Sequence, residues 1–111
     1  MDADRMREHR SLYNERLKEA DSFFKEFGRL DDGVYGEGAI DEKHKELMGL
    51  GISVSTRCDE CILYHLDGCN REGASRAEIV ETIKIGVMAG GSLAMPNARF
   101  AIAMLDDTQE G

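Results

Sequence analysis

Two cysteines and a histidine stand close together near the middle of this 111-residue chain. Cys58 and Cys61 are three positions apart, and His65 follows the second cysteine by four. A CxxC pair at the start of a helix can open and close a disulfide with little backbone movement, and the helix dipole favours the reactive thiolate. A histidine one turn later can exchange a proton with Cys61, directly or through a water molecule. The spacing favours thiol redox chemistry over two alternatives, a metal half-site and inert core thiols.

A helix that begins near these cysteines would gather the reactive side chains on one side. At about 100° per residue, four side chains with a reactive sulfur or nitrogen fall within an arc of about 80°. The two acids between the cysteines are then expected to point toward solvent. Cys61 and Cys69 would lie about 12 Å apart along the helix axis, too far to share one zinc ion, so a metal site would need ligands from elsewhere. The arc holds Cys58, Cys61, His65 and Cys69, and the acids are Asp59 and Glu60.

Glu46 is a candidate partner for the histidine. It lies on the preceding predicted helix, on the side that carries Leu50 and Ser53, where the pattern turns from charged to apolar. A carboxyl group at such an edge can be buried, and it would then suit a proton relay that ends at His65. For Glu46 taken alone, the pattern favours an ordinary surface carboxylate. The third cysteine, Cys69, is interpreted as a small buried apolar residue.

Hydrophobic periodicity predicts about five helices to hold these side chains. Asp41 is a predicted N-cap, and Ser75 and Glu78 form a predicted capping box. A strand over 51–55 is an alternative, but the sequence offers no second strand to pair with it. We therefore predict a single all-α domain over residues 1–111, built as a compact helical bundle. The helices are expected at 4–27, 42–56, 58–72, 75–89 and from 93 or 96 to 106, with a connector at 28–40 and a frayed tail at 106–111.

The composition limits the class of protein. Apolar residues make up 41% and charged residues 32% of the chain, which is a globular balance. The formal net charge of −8 would repel nucleic acid and anionic membranes. The N-terminus is too charged for a signal peptide, and no apolar run approaches the roughly 20 residues that span a membrane. Because an odd number of cysteines also fits poorly with a secreted disulfide framework, the sequence predicts a cytoplasmic protein with neither a nucleic-acid nor a membrane partner.

A longer motif surrounds the cysteine pair. The chain reads IDEKHKEL from Ile40, CDECILYH from Cys58 and GASRAEIVE from Gly73. Within this stretch, a glutamate is followed by eleven residues, CxxC, three residues and a histidine. The motif resembles that of the carboxymuconolactone decarboxylase family and, within it, the AhpD-type (alkylhydroperoxidase) branch. The resemblance covers about residues 20–105.

The resemblance implies a role for each residue of the motif. Cys61 matches the cysteine that attacks a hydroperoxide or a disulfide, and Cys58 matches the resolving cysteine that closes the disulfide. His65 and Glu46 match the proton relay. The family implies no cofactor and no metal, an external dithiol or protein reductant, and all-α subunits that assemble as homotrimers or homohexamers.

One position departs from the family pattern. AhpD-type enzymes carry a histidine just before the second cysteine, where this chain has Glu60, so the efficiency with peroxide and the choice of reductant are open. Two other functions remain as alternatives: a metal-binding or structural oligomeric module, and decarboxylase-like lactone chemistry. The true decarboxylases of this family lack the cysteine pair, so the pair favours thiol chemistry.

Overall fold

The computed structural model describes residues 2–109, and over that range every regular element is a helix. The elements are six α-helices and one short 3₁₀ turn. The predicted all-α fold is confirmed. In chain order the elements are α1 (Ala3–Ala20), α2 (Ser22–Tyr35), α3 (Glu42–Ser55), α4 (Asp59–Arg71), α5 (Arg76–Gly90), the 3₁₀ turn (Gly91–Ala94) and α6 (Met95–Thr108).

The first predicted helix, 4–27, is two helices in the structure. Asp21 has an extended backbone (φ −163°, ψ 139°), so it ends α1 and begins α2. Its side chain accepts a hydrogen bond from the backbone N–H of Phe23 at 2.8 Å, which is the capping interaction that aspartate favours. Periodicity alone did not reveal the break because the apolar spacing continues across a single extended residue.

Helix α2 occupies most of the region that was predicted as a connector, 28–40. It passes through Gly28 and Gly33 and ends only at Tyr35, which leaves a connector of 36–41. Each glycine costs about 1 kcal/mol of helix propensity relative to alanine. An apolar stripe continues past both glycines, and such a stripe favours one uninterrupted helix. The stripe consists of Phe23, Phe27, Leu30 and Val34.

The starts of the later helices agree with the predictions. The side chain of Asp41 accepts a hydrogen bond from the backbone N–H of His44 at 2.8 Å. Ser75 and Glu78 form both hydrogen bonds of a capping box at the start of α5. After α4, Gly73 has a φ of +79°, a left-handed conformation that glycine adopts readily and that turns the chain away from the helix.

Helix α3 lies at the centre of the fold, where it packs against both α4 and α5. Its second half carries Leu50 and Val54, which are fully buried. The alternative strand over 51–55 is therefore wrong, because these residues continue the helix. The core also contains Ile62, Leu63 and Leu66 of α4, Ile79 and Ile83 of α5, and Phe100, Met104 and Leu105 of α6.

Most of the α1–α2 hairpin lies outside this core. Helix α1 contributes the buried Ala3, and Met6 packs against the core, but helix α2 contributes no buried residue within the single chain. Helix α1 is also joined to α4 by ion pairs, since Arg7 and Arg10 approach the carboxylate of Asp67 at 2.9 and 3.5 Å. The remainder of the hairpin forms a wall beside α4.

The C-terminal helix is longer than predicted. Helix α6 continues to Thr108, so residues 106–108 of the predicted frayed tail are helical, while 110 and 111 lie outside the described residues. Across the described part of the chain, none of the helices combines the length and the apolar character needed to cross a membrane.

Candidate functional site

The two motif cysteines lie at the N-terminal end of α4 and form a disulfide. Cys58 is the N-cap residue, with an extended backbone, and Cys61 lies in the first turn with its Cα 5.2 Å from that of Cys58. The backbone N–H of Cys61 donates to the sulfur of Cys58 at 3.2 Å. Cys58 is half-buried, whereas Cys61 is exposed. The sulfur of Cys61 is therefore the one that a substrate can reach more easily.

A buried hydrogen bond joins His65 of α4 to Glu46 of α3. His65 is 8% and Glu46 5% exposed, so this carboxyl group is buried and is not an ordinary surface carboxylate. The Nδ1 atom of His65 lies 2.8 Å from Oε1 of Glu46. Because an ionised carboxylate only accepts hydrogen bonds, we assign the ring hydrogen to Nδ1, which leaves Nε2 as the nitrogen able to accept a proton.

Two glycines make room for this pair between the packed helices. A Cβ atom at Gly49 of α3 would lie only 2.5 Å from Cε1 of His65. A Cβ atom at Gly68 of α4 would overlap the carboxyl group of Glu46. Both glycines are buried, so the close approach of α3 and α4 depends on the absence of side chains at these two positions.

Three further side chains surround the pair, and sequence reasoning did not find them. An Nη2 atom of Arg71 lies 3.2 Å from Oε2 of Glu46. The rings of Tyr35 and Tyr64 lie 5.0 and 5.2 Å from the His65 ring, measured between centroids. Burial raises the pKa of Tyr35, and the nearby carboxylates of Asp31 and Glu46 raise it further. Tyr35 was missed because it lies in the region predicted as a connector. Arg71 was missed because its Cα lies outside the arc of reactive side chains, although its long side chain reaches Glu46.

A groove of about 720 Å³ opens beside the exposed cysteine. Cys61 and His65 line one side of it, and apolar residues of the α1–α2 hairpin line the other. Arg10 lies over the ring of Tyr64, with the guanidinium carbon 5.1 Å from the ring centroid. The apolar lining consists of Leu17, Phe23, Phe24 and Phe27.

The sequence predicts that both acids of the motif point toward solvent. In the structure, only one of the two is exposed. Asp59 is half-buried and accepts a hydrogen bond from Asn97 of α6 at 2.8 Å. Glu60 is exposed, but it lines the same groove as Cys61. The prediction was wrong for Asp59 because a partner on α6 could not be foreseen from the spacing within α4.

Cys69 lies apart from the site. Its side chain is fully buried, as interpreted from the sequence, and burial raises the pKa of its thiol to about 12. Within residues 2–109, no three side chains of His, Cys, Asp or Glu are placed so that they could hold one metal ion. The structure thus brings together Cys58, Cys61, His65 and Glu46, and their individual roles stay a prediction.

The comparisons with known proteins agree on one family. The sequence pattern of the carboxymuconolactone decarboxylase family matches residues 21–105. Among curated proteins, one described as uncharacterised protein 4 in the cox locus of Paracoccus denitrificans is 33% identical over 81 residues, which is 73% of either chain. An uncharacterised protein of Cupriavidus necator is 30% identical over 70 residues, 63% of this chain and 62% of that protein.

Solved structures show the same fold. Two crystal structures of one Thermotoga maritima protein match this chain, and the sequences are 42% identical. The first has a TM-score of 0.92 and covers 96% of this chain and 94% of its own. The second has a TM-score of 0.90 and covers 96% of this chain and 91% of its own. One of them is described as a carboxymuconolactone decarboxylase family protein with a suggested role in antioxidative response. A protein of the same family from Legionella pneumophila, 23% identical with a TM-score of 0.90 over 97% of both chains, shares the fold.

Proposed function

Because the chain belongs to the carboxymuconolactone decarboxylase family, we propose that it is a thiol-dependent oxidoreductase that reduces hydroperoxides or disulfides with its cysteine pair. The observation that carries the proposal is the Cys58–Cys61 disulfide at the start of α4, one turn before a buried His65–Glu46 pair. The suggested antioxidative role of the Thermotoga maritima relative is consistent with this chemistry.

The first step is the activation of Cys61. Its position in the first turn of α4 favours the thiolate, since the N-terminal end of a helix carries partial positive charge. His65 accepts the thiol proton on Nε2, and the carboxylate of Glu46 stabilises the resulting imidazolium through Nδ1. The groove beside Cys61 offers apolar side chains for the organic part of a substrate, namely Leu17, Phe23, Phe24 and Phe27.

With a hydroperoxide, the Cys61 thiolate attacks the terminal oxygen and the O–O bond breaks. The sulfur becomes a sulfenic acid, and His65 returns its proton to the alkoxide, which leaves as an alcohol. The thiol of Cys58 then attacks the Cys61 sulfur and releases water, and this forms the disulfide. A dithiol reductant restores both thiols and is itself oxidised to a disulfide.

With a disulfide substrate, the same residues act in thiol exchange. The Cys61 thiolate attacks one sulfur of the substrate and forms a mixed disulfide, while the other substrate sulfur leaves as a thiolate that His65 protonates. Cys58 then attacks the Cys61 sulfur and releases the second thiol. The product is again the Cys58–Cys61 disulfide, so one external dithiol resets the enzyme after either substrate.

Single cysteine variants test this assignment. Turnover of cumene hydroperoxide and of an aromatic disulfide is measured with dithiothreitol as the reductant, for Cys61→Ser, Cys58→Ser and the buried control Cys69→Ser. We expect Cys61→Ser to be inactive. Cys58→Ser, once reduced and then freed of dithiothreitol, should consume about one equivalent of peroxide and accumulate a sulfenic acid that dimedone traps. Cys69→Ser should keep wild-type turnover.

The outcome that would contradict the proposal is full turnover by both Cys58→Ser and Cys61→Ser. Activity toward an unsaturated lactone that survives loss of both thiols would instead favour the decarboxylase-like alternative. Zinc or iron bound in stoichiometric amount, and lost from the same two variants, would favour the metal-binding alternative. Elemental analysis of the purified protein detects this.

A further inference from the structure

Glu46 lines a second cavity, which adjoins the groove beside Cys61. This cavity has a volume of about 300 Å³. Among the described residues, Glu46 and Arg71 line the second cavity and not the groove, whereas Cys61 and His65 line the groove and not the second cavity. The buried His65–Glu46 hydrogen bond therefore connects a residue of the groove to a residue of the second cavity. The residues that line both are Asp31, Asp32 and Tyr64.

The second cavity is strongly acidic. Within the described part of the chain, Arg71 is the one cationic side chain that lines it, against five carboxyl groups. The other four carboxyl groups add negative potential around Glu46, and the cation of Arg71 offsets part of it. The carboxyl groups belong to Asp31 and Asp32 of α2, Glu42 and Glu46 of α3, and Glu72 beyond α4.

The two oxygens of Glu46 have different partners. Oε1 accepts the hydrogen bond from Nδ1 of His65 at 2.8 Å, and Oε2 lies 3.2 Å from Nη2 of Arg71. With both oxygens engaged, the carboxylate plane cannot rotate away from the imidazole. The side chain of Arg71 is 64% exposed. It contacts Glu46 from the wall of the second cavity and is not part of the buried core.

We propose that Arg71 is a positioning residue for this site: it holds Glu46 so that the carboxylate fixes the Nδ1–H form of His65 and exchanges protons with the solvent of the second cavity. Protons would then reach His65 through Glu46 from the second cavity, which Cys61 does not line. The proposal rests on the proposed function in one respect, because the relay is useful only if Cys61 performs thiol chemistry.

Substitution of Arg71 tests the proposal. Arg71→Gln removes the charge, and Arg71→Lys keeps it. Arg76→Gln is the matched control, since Arg76 is also half-exposed and pairs with a carboxylate, Asp106 at 2.7 Å, away from the site. Circular dichroism verifies that each variant folds. The ¹⁵N shifts of the His65 ring at pH 7 report which nitrogen carries the hydrogen, and steady-state kinetics separates kcat from KM.

We expect Arg71→Gln to populate both tautomers of His65 and to lower kcat about tenfold with KM changed less than twofold, as the loss of an oriented acid–base group requires. Arg71→Lys should retain the Nδ1–H tautomer and most of kcat, and Arg76→Gln should match the wild type. An unchanged tautomer in Arg71→Gln would overturn the proposal, whatever happens to kcat. If the wild type turns over neither substrate, the proposed function fails, and the ¹⁵N shifts still decide the role of Arg71.

Discussion

His65 and Glu46 form a buried hydrogen bond one helical turn after Cys61. Both side chains are almost fully enclosed, yet each polar atom that is shielded from solvent has a hydrogen-bond partner in the described residues. A buried ionisable pair is costly unless its remaining acceptors are satisfied, and Arg71 satisfies the second oxygen of Glu46. Burial of this pair therefore costs folding free energy, and the hydrogen bonds hold His65 in one orientation near Cys61.

Glu60 is the residue that should tune the reactivity of Cys61. Both side chains line the same groove, and a carboxylate there disfavours both the thiolate and the negative charge that develops on the leaving alkoxide. We expect Glu60→Gln to raise the second-order rate of reduced Cys61 with cumene hydroperoxide by about threefold at low salt, and less at high salt.

The control for this change is Glu81→Gln, which removes an exposed carboxylate of α5 and leaves the groove unaltered. Stopped-flow measurement of the peroxide reaction under single-turnover conditions gives the rate directly. A Glu60→Gln rate equal to that of Glu81→Gln would show that the glutamate does not act on the thiolate.

The buried thiol of Cys69 should make stability depend on pH in the alkaline range. Burial raises its pKa from the ordinary value of 9.0 to about 12, so the folded protein keeps a proton that the unfolded chain loses. The stabilising contribution is complete below pH 9 and is lost as the pH rises toward 12. Between pH 8 and 10.5, the wild type should lose about 2 kcal/mol more unfolding free energy than Cys69→Ala.

Urea unfolding of the reduced proteins at the two pH values measures this difference. The cavity left by Cys69→Ala lowers the unfolding free energy by the same amount at both pH values. It therefore does not affect the change in unfolding free energy between the two pH values, which is the quantity compared. Equal losses in the two proteins would mean that the thiol is not protected from ionisation.

The distance between α3 and α4 is the feature of the helices on which the site depends most. Gly49 and Gly68 face the side chains of His65 and Glu46, respectively, with no space for even a methyl group. Each glycine lowers helix propensity by about 1 kcal/mol relative to alanine. The space for the side chains of His65 and Glu46 therefore comes at a cost in helix stability. The neighbouring Gly51 does not have this function, because a Cβ there would meet Thr82 at an ordinary distance of 3.4 Å.

Alanine substitutions should separate these two kinds of glycine. We expect Gly49→Ala to lower the unfolding free energy by about 1–3 kcal/mol through overpacking against the His65 ring and to reduce turnover. Gly51→Ala, two residues away on the same helix, should be neutral or stabilise the protein by up to about 1 kcal/mol. Denaturant titrations of both variants provide the measurement, and similar changes at the two positions would contradict the packing argument.

At the scale of the whole molecule, helix α2 leaves an apolar face exposed. It is amphipathic, but none of its residues is buried in the single chain, and Phe27 and Leu30 are 60% and 67% exposed. An apolar face of this kind usually marks an interaction surface. The homotrimer or homohexamer that the family resemblance implies stays a prediction, and we propose that it covers this face, which also borders the groove beside Cys61.

Light scattering coupled to size-exclusion chromatography tests this assembly. We expect the wild type to have the mass of a homo-oligomer and Phe27→Glu to shift it toward smaller species, because a buried carboxylate without a partner is costly. Lys25→Glu is the control: it lies on the opposite side of the same helix and adds more negative charge to a chain whose net charge is already −8. A monomeric wild type, or equal dissociation of both variants, would argue against α2 as the interface.

The sequence by itself determined the local features of this protein. Helix starts at Asp41 and Ser75 and the shared face of Cys61 and His65 depend on residues three or four positions apart, whose relation any helix fixes. The same local reasoning failed at Asp21, where one extended residue interrupts an otherwise regular pattern. The pattern around Glu46 made it a candidate partner of His65, and the family resemblance added its place in the motif.

Only the tertiary structure decided which side chains complete the site. Arg71 reaches Glu46, Tyr35 covers the His65 ring, and Asp59 turns to Asn97. Each of these contacts joins residues that are distant along the chain or depends on a long flexible side chain, so no fixed spacing encodes it. The hydrogen bond between His65 and Glu46 likewise depends on the buried glycines that let α3 approach α4. Such a distance between helices is set by packing rather than by local sequence.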